Sequence, residues 1–238
     1  MKNPKNVGES IEARNAGWRF SGAVPQSFDD HVAKSVPLYE LGHDLIVSLS
    51  DFFLSDGSVC YDIGCSTGGL IKKIAAHNAD KHIEAIGIDA EADMVRHARS
   101  ACTDASVSFL HDDVLNVDLK KCDLIVSYYT MQFVRPKSRQ VVIDRIYQAL
   151  NWGGAFVMFE KVRACDARFQ DIMSALYVDY KLEQGYDSAQ IVAKSRSLKG
   201  VLEPFSTQGN TDLLRRAGFV DLMTVMKYVC FEGYLAIK

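Results

Sequence analysis

The chain has 238 residues, enough for one large domain with a substantial core, and its 48% hydrophobic and 24% charged residues are typical of a globular protein. A formal net charge of −3 gives no electrostatic footprint for DNA, RNA or an anionic membrane, so no direct nucleic-acid or membrane binding is expected. The longest purely apolar run, from Ala155 to Phe159, is far too short to span a bilayer.

The cysteines and the first residues indicate the compartment. The six cysteines are scattered without a Cys-x-x-Cys pair, and the polar first residues contain no apolar signal-peptide core. These features predict a cytoplasmic protein. Neither the cysteines nor the six histidines show the spacing of metal ligands, so no metal is predicted.

The first 54 residues predict an arm and a helix that cover a site. Residues 1 to about 30 are rich in Gly, Asn, Ser and charge, with Trp18, Phe20 and Phe28 as isolated aromatic anchors. From Ser35 onward, apolar residues recur at helical spacing as far as Phe53. We assign residues 55–238 to the main domain.

The stretch from Val59 to Leu70 is the centre of that domain. Residues 59–63 predict a short buried strand, residues 64–69 contain three glycines, and a helical pattern begins at Leu70. A glycine turn at a helix N-terminus exposes unpaired N–H groups, and the missing side chains let a ligand lie against the backbone. Carboxylates, other anions and nucleotides bind at such turns.

Strands then alternate with helices, which predicts an α/β fold with a doubly wound, mostly parallel sheet. A helical insertion is expected at 165–206, and the chain closes with two strands at 219–229 and 230–237 that form an antiparallel pair. The intervening strands are predicted at 83–89, 107–110, 122–127 and 155–159, and helices are predicted to begin near Met94, Pro136, Asp166, Ser188 and Thr211.

Three carboxylates stand at the ends of three predicted strands: Asp62 and Asp89 within the last residues of two of them, and Asp113 just after the third. The carboxyl ends of parallel strands form the ligand edge of such a sheet, and a carboxylate there can accept hydrogen bonds from both hydroxyls of a ribose. The acids therefore predict a nucleoside ligand. Gly64-x-Ser66-x-x-Gly69 is nearly the dinucleotide fingerprint, so a Rossmann dehydrogenase remains an alternative at this point.

The glycine turn, the three acids and the two closing strands together resemble the class I S-adenosylmethionine-dependent methyltransferases, whose seven-stranded sheet ends in a hairpin. A closer resemblance, to the carboxy-S-adenosylmethionine synthase (CmoA) family, covers nearly the whole chain. The segments that carry it are Lys34-Ser-Val-Pro-Leu-Tyr39, Asp62-Ile-Gly-Cys-Ser66, Thr130-Met-Gln-Phe133, Arg145-Ile-Tyr-Gln-Ala-Leu150, Gly153-Gly, Phe159-Glu-Lys161 and Gly185-Tyr186.

This resemblance implies a homodimer that converts S-adenosylmethionine and prephenate, a carboxylic acid, into carboxy-S-adenosylmethionine. The bound cofactor is expected to be S-adenosylmethionine, S-adenosylhomocysteine or carboxy-S-adenosylmethionine. By the resemblance, the cofactor-binding residues are Tyr39, Asp62, Gly64, Cys65, Ser66, Asp89, Ala90, Asp113 and Val114.

Two positions depart from the family pattern. The family's asparagine before the Thr-Leu-Gln-Phe-like motif falls on Tyr128, and its arginine for the product's extra carboxylate falls on Ser195, with Arg196 one position later. A one-residue shift on a helix rotates a side chain by about 100°. We predict Tyr128 and Arg196 as the catalytic residues.

These departures keep other functions open. One is a methyltransferase for a small acceptor with a remodelled pocket; lesser alternatives are an intramolecular conversion of S-adenosylmethionine and a non-catalytic nucleoside-binding subunit. Tyr39, Tyr128 and Tyr129 are expected near the sulfonium, which aromatic faces attract. Glu160 is a candidate base or substituent-binding residue, or else pairs with Lys161 or another surface cation.

Overall fold

The structure is a computed structural model that describes residues 4–8, 11–22 and 24–238. In chain order its strands are β1 (Lys5–Asn6), β2 (Glu12–Ala13), β3 (Val59–Ile63), β4 (Glu84–Asp89), β5 (Val107–His111), β6 (Cys122–Tyr128), β7 (Leu150–Lys161), β8 (Asp221–Tyr228) and β9 (Phe231–Ile237). Its helices are α1 (Val24–Ser35), α2 (Tyr39–Ser50), α3 (Gly69–His77), α4 (Ala92–Ser100), α5 (Pro136–Ala149), α6 (Ala167–Glu183), α7 (Ser188–Ser197) and α8 (Thr207–Ala217).

Strands β3 to β9 form one seven-stranded sheet in the order β5-β4-β3-β6-β7-β9-β8. The pairs among β3 to β7 are parallel, whereas β9 lies antiparallel between β7 and β8. The predicted doubly wound sheet with a closing antiparallel pair is confirmed. Strand β3 pairs with both β4 and β6, so the order reverses at β3, and ligands bind at such a switch point.

Both faces of the sheet are covered, which explains the nearly continuous apolar strands. On β6, Leu124 and Val126 belong to one hydrophobic cluster and Ile125 to the other. On β7, Val157 and Met158 divide between the same two clusters. The alternation follows from the two-residue period of a strand, and it fixes which side chains at the strand ends face each layer.

Several boundaries differ from the predictions. Helix α1 was not predicted, and its burial of His31 and Ser35 shows that tertiary contacts hold a segment with a weak apolar pattern. The sequence predicts Pro37 as a first helical position, but α2 begins at Tyr39, because Leu38 has a left-handed φ of 57°. Strand β7 begins at Leu150, so residues 151–154 extend the strand instead of ending α5.

Helix α8 begins one turn earlier than predicted, at Thr207 instead of Thr211. Ser206 caps α8 by accepting a 3.1 Å hydrogen bond from the N–H of Gly209. The sequence also predicts an apolar face on α6, formed by Phe169, Ile172, Met173, Leu176 and Tyr180. In the structure Phe169, Ile172 and Leu176 are each half-exposed, whereas Met173 packs against the core. Among the described residues, no helix is long and apolar enough to cross a membrane.

Candidate active site

A cavity of about 790 Å³ opens at the carboxyl ends of β3, β4, β6 and β7. The arm contributes Trp18 and Phe20 to its wall, and α1 contributes Phe28. The three aromatic anchors predicted in the arm thus lie together on the cavity, where Phe20 contacts Phe28 with ring centroids 6.2 Å apart. The volume of the cavity is typical of a site that binds a small molecule.

Asp62, at the end of β3, is the most deeply buried carboxylate on this cavity. It is 2% exposed, and its Oδ1 atom has no hydrogen-bond partner among the described residues. Burial raises the pKa of Asp62 to about 7, and the nearby carboxylate of Asp89 contributes to the rise. A carboxylate oxygen without a partner, on a residue that lines a cavity, suits a cationic ligand group such as an ammonium.

The glycine turn brings the backbone close to the cavity. Gly64 has a φ of 75°, and a Cβ atom there would lie 2.1 Å from Oγ1 of Thr130. A Cβ atom on Gly87 would lie 2.8 Å from Sγ of Cys65, so β4 passes the turn just as closely. Ser66 also adopts a left-handed φ, of 55°. The sequence-predicted residues 64–66 therefore form a cradle with little side-chain bulk.

The turn also fixes the carboxylate of Asp89. Its Oδ2 atom accepts a 2.9 Å hydrogen bond from the N–H of Ser66, and its Oδ1 atom accepts a 2.9 Å hydrogen bond from the N–H of Glu91. Each oxygen keeps a second lone pair for a ligand hydroxyl. Burial raises the pKa of Asp89, while these two backbone donors oppose the rise.

The remaining predicted cofactor residues continue along the same side of the cavity. Ala90 follows Asp89, and Asp113 and Val114 follow β5; all three line the cavity. The carboxylate of Asp113 accepts a 2.9 Å bond from the N–H of Leu115, which closes a tight turn beside Val114. All nine residues predicted to bind the cofactor thus line one cavity.

Tyrosine rings form the wall beyond the glycine turn. The hydroxyl of Tyr128 donates a 2.6 Å hydrogen bond to the carbonyl oxygen of Tyr39, and the two ring centroids lie 5.0 Å apart. The ring of Tyr129 lies 4.7 Å from that of Tyr128. Burial raises the pKa of all three phenols, which are therefore neutral at physiological pH.

His43 is a wall residue that sequence reasoning missed. Its ring lies 4.6 Å from Tyr39 and 4.8 Å from Tyr128, and neither ring nitrogen finds a hydrogen-bond partner in the described part of the chain. Burial lowers the pKa of His43 to about 4, so the imidazole is neutral. In the sequence, His43 is four residues after Tyr39 in a predicted helix. Residues at this spacing share a helix face, so the spacing could have placed His43 beside Tyr39.

Lysines line the other end of the cavity, and the sequence analysis assigned none of them to the site. They are Lys161 at the end of β7, Lys181 on α6 and Lys194 on α7. Nζ of Lys194 lies 2.9 Å from Nε2 of His31 and over the ring of Trp18, 2.7 Å from its centroid. The cavity therefore has an acidic end and a cationic end.

The structure places Arg196 elsewhere, contrary to the expectation that it reaches inward. Arg196 and Ser195 are solvent-exposed, and Arg196 borders a separate surface groove formed by β1 and the start of α7. Lys194 is two positions earlier, which on a helix corresponds to a rotation of about 200°. The α7 side chain that meets the cavity is therefore a lysine rather than the predicted arginine.

The predicted alternative of an ion pair between Glu160 and Lys161 is also wrong. Adjacent strand residues point to opposite faces of the sheet, and Glu160 is buried away from the cavity while Lys161 lines it. Burial raises the pKa of Glu160 well above its usual range, and the guanidinium of Arg139 partly offsets this. Glu160 is thus not placed to act on a ligand in the cavity.

Comparison with known proteins agrees with this geometry. A family model described as a methyltransferase domain matches residues 60–154. Proteins named carboxy-S-adenosyl-L-methionine synthase are similar over 93% of this chain: that of Staphylococcus epidermidis is 34% identical and covered over 97% of its length, and that of Campylobacter lari is 37% identical and covered over 94%.

A solved structure shares the fold at low sequence identity. Human N-acetylserotonin methyltransferase in complex with S-adenosylmethionine superposes with a TM-score of 0.63 over 92% of this chain and 56% of that chain, at 16% identity. At this identity the similarity concerns the fold. The fold is therefore shared with this methyltransferase.

Proposed function

This chain belongs to the carboxy-S-adenosyl-L-methionine synthase family, and on that premise we propose that it forms carboxy-S-adenosylmethionine from S-adenosylmethionine and prephenate. As a member of that family it is an S-adenosylmethionine-dependent enzyme with a methyltransferase fold. The observation that carries the proposal is the division of one cavity into an acidic cradle and a lysine-lined end. Such a cavity suits a cationic sulfonium nucleoside beside an anionic second substrate.

The residues of the acidic end fit the cofactor. The unpaired Oδ1 atom of Asp62 is suited to accept a hydrogen bond from the amino group, and the cradle at 64–66 admits the amino-acid part to the backbone. We assign the ribose hydroxyls to Asp89 with Ala90 beside them, and the adenine to Asp113 and Val114. When bound, S-adenosylmethionine supplies a sulfonium with an activated methyl group.

The tyrosine wall contributes a neutral, water-poor surface to the centre of the cavity. The rings of Tyr39 and Tyr129 can attract a sulfonium by about 0.5–2 kcal/mol. Tyr128 contributes its ring but donates its hydroxyl to the carbonyl of Tyr39, so we assign it a positioning role. Holding two reactants at near-attack distance in such a wall is the main demand of transfer at a sulfonium.

The decisive experiment is an assay with both substrates. Purified protein is incubated with S-adenosylmethionine and prephenate, and the products are separated by liquid chromatography and identified by mass spectrometry. A product heavier than S-adenosylmethionine by one CO₂ is expected. If a protein shown by calorimetry to be saturated with S-adenosylmethionine forms no such product, the proposed reaction is refuted.

A second candidate function is methyl transfer to a small acceptor. The observation that favours it is the placement of Ser195 and Arg196 outside the cavity, which leaves the family's carboxylate position without an arginine. Release of S-adenosylhomocysteine with an acceptor, and no heavier product with prephenate, would support this function instead.

We further propose that the protein is a cytoplasmic homodimer. The apolar face of α6 formed by Phe169, Ile172 and Leu176 is 50–52% exposed at each residue. Contiguous exposed apolar surface of this kind marks protein interfaces. A second copy of the chain, with α6 packed against its counterpart, would cover it as an isologous interface does. The scattered free cysteines fit a reducing compartment.

A further inference from the structure

Lys161 is a half-buried cation, and its ammonium has no anionic partner among the described residues. Its Nζ atom lies 3.9 Å from the ring centroid of Tyr177 and 5.6 Å from that of Phe231. The described part of the chain gives this atom neither a hydrogen bond nor a carboxylate, although the residue lines the cavity. A desolvated ammonium with only aromatic contacts is costly unless a ligand supplies an anion.

The electrostatic environment increases this cost. Burial lowers the pKa of Lys161, and the positive charges of Arg163 and Lys199 lower it further, while the thiol of Cys230 acts in the opposite direction. Lys181 is a second cation on the same ring, with its Nζ atom 5.1 Å from the centroid of Tyr177. Two ammonium groups on one aromatic ring create a positive potential at this end of the cavity.

Hydrogen bonds fix both the backbone of Lys161 and the ring of Tyr177 that its ammonium contacts. The backbone N–H of Lys161 donates a 3.0 Å hydrogen bond to Oε1 of Gln132. The Nε2 atom of Gln132 in turn donates a 3.0 Å hydrogen bond to the carbonyl oxygen of Tyr129. The hydroxyl of Tyr177 donates a 2.7 Å hydrogen bond to the carbonyl oxygen of Ser35. Gln132 thereby joins the ends of β6 and β7, and Tyr177 joins α6 to α1. A cation positioned in this way needs little reorganisation to bind an anion.

The position of Lys161 in the sheet indicates which ligand it meets. Asp62 and Asp89 lie at the carboxyl ends of β3 and β4, and Asp113 follows β5, all on one side of the switch point. Lys161 ends β7, which lies beyond β6 on the other side. With neighbouring strands about 4.8 Å apart, β7 is roughly 10 Å from β3. The lysine therefore lies where a second substrate would be placed beside the nucleoside.

We propose that Lys161 binds a carboxylate of the second substrate, and that Tyr177 and Gln132 position its ammonium for this contact. The inference rests on the proposed function, because it takes the second substrate to be a carboxylic acid. Lys161 is then a substrate-binding residue, whereas Tyr177 and Gln132 are positioning residues.

Binding measurements separate this role from a purely structural one. In the protein saturated with S-adenosylhomocysteine, where no transfer can occur, Lys161→Met is expected to weaken prephenate binding at least tenfold by calorimetry, about the loss of one charge-assisted hydrogen bond. Lys161→Arg is expected to retain most of the affinity. Lys199→Met, which removes a nearby charge outside the cavity, is the matched control and should stay within about threefold of the wild type.

Two further readouts exclude the alternatives. The affinity of Lys161→Met for S-adenosylmethionine should equal that of the wild type; a comparable loss there would mean that Lys161 serves the cofactor's own carboxylate and would overturn the proposal. The melting temperature of apo Lys161→Met should be unchanged or higher, because a partly desolvated charge without an anionic partner is removed. Unchanged prephenate binding by a folded Lys161→Met would also overturn it.

The proposal and the proposed function fail in different ways. If the wild type binds prephenate but forms no product heavier by one CO₂, the proposed reaction fails while the Lys161 contact remains measurable. If the wild type does not bind prephenate, benzoate and malonate are titrated instead into the wild type and Lys161→Met. Equal affinities of the two proteins for these carboxylates, or no binding to either, would refute the assignment of Lys161.

Discussion

The hydroxyl of Tyr128 donates a 2.6 Å hydrogen bond to the carbonyl oxygen of Tyr39, and so ties the end of β6 to the first residue of α2. The contact is tight: a Cβ atom on Gly42 would lie 2.1 Å from this hydroxyl. Tyr128 was predicted to be catalytic because it departs from the family pattern. Its hydroxyl already has a partner in the protein, which favours a role in shaping the cavity wall.

The first prediction concerns this bond. Tyr128→Phe keeps the ring and removes the donor, so the free energy of unfolding should fall by about 0.5–1.5 kcal/mol while turnover remains within a few-fold of the wild type. Tyr128→Ala removes the ring as well and should cost about 3–5 kcal/mol. Chemical denaturation and the product assay measure both. Loss of turnover in Tyr128→Phe with unchanged stability would instead show that the hydroxyl acts on the ligand.

The second prediction concerns Asp62 and pH. Because burial raises the pKa of Asp62 to about 7, its contribution to stability is complete below the unfolded-state pKa and is lost as pH rises through about 7. Ionisation also creates the acceptor for a cationic ligand group. The apo protein should therefore lose stability between about pH 4 and about pH 7, while its affinity for S-adenosylmethionine increases as pH rises through about 7.

Asp62→Asn tests both halves of this prediction. The amide cannot ionise, so the pH dependence of stability from this site should disappear, and affinity for S-adenosylmethionine should drop tenfold to a hundredfold at about pH 8. Thermal unfolding and calorimetry across the pH range report the two effects. An unchanged pH dependence of affinity in Asp62→Asn would assign the titration to another group.

The third prediction separates crowding from backbone strain at the glycine turn. Gly64 and Gly57 share a φ of 75°, but a Cβ atom would meet Oγ1 of Thr130 at 2.1 Å in the first case and no atom within 4 Å in the second. Gly64→Ala should abolish S-adenosylmethionine binding and destabilise the fold, whereas Gly57→Ala should cost only about 1–2 kcal/mol. Equal losses in the two variants, measured by denaturation, would show that backbone strain alone is responsible.

The fourth prediction concerns the cations of α7. Because Arg196 is exposed outside the cavity, Arg196→Ala should leave kcat/KM for prephenate within about twofold of the wild type. Lys194 lines the cavity, so Lys194→Met should reduce kcat/KM about tenfold or more. Steady-state kinetics measure both variants. The reverse order would restore the sequence-based assignment of Arg196, either within one subunit or across a dimer.

The fifth prediction concerns the exposed face of α6. Leu176→Asp places a charge in the proposed interface, so the variant should elute as a monomer while the wild type elutes as a dimer. Trp152→Asp replaces an apolar residue that is 89% exposed in the irregular part of β7, between the paired positions Leu150 and Ala155, and should not change the assembly. Size-exclusion chromatography with light scattering distinguishes the species. A monomeric wild type at micromolar concentration would exclude the proposed interface.

The sheet could be predicted from sequence because its signals are local. A strand that is buried on both faces is nearly all apolar, and the turn after β3 needs glycine at positions where a Cβ atom has no room, as at Gly64. Asp62, Asp89 and Asp113 could be assigned to one cavity because parallel strands end at the same edge of a sheet. Helix α1 could not be predicted, since contacts from the rest of the chain hold it.

By itself, then, the sequence determined the order of strands and helices, the glycine turn and the acidic end of the cavity. The tertiary structure alone decided the cationic end. Whether Lys194 or Arg196 faces inward depends on the rotation of α7 against the arm, and Lys161 is held by Tyr177, whose hydroxyl bonds Ser35 across 142 residues of chain. Contacts between such distant segments follow from packing, which local residue patterns do not encode.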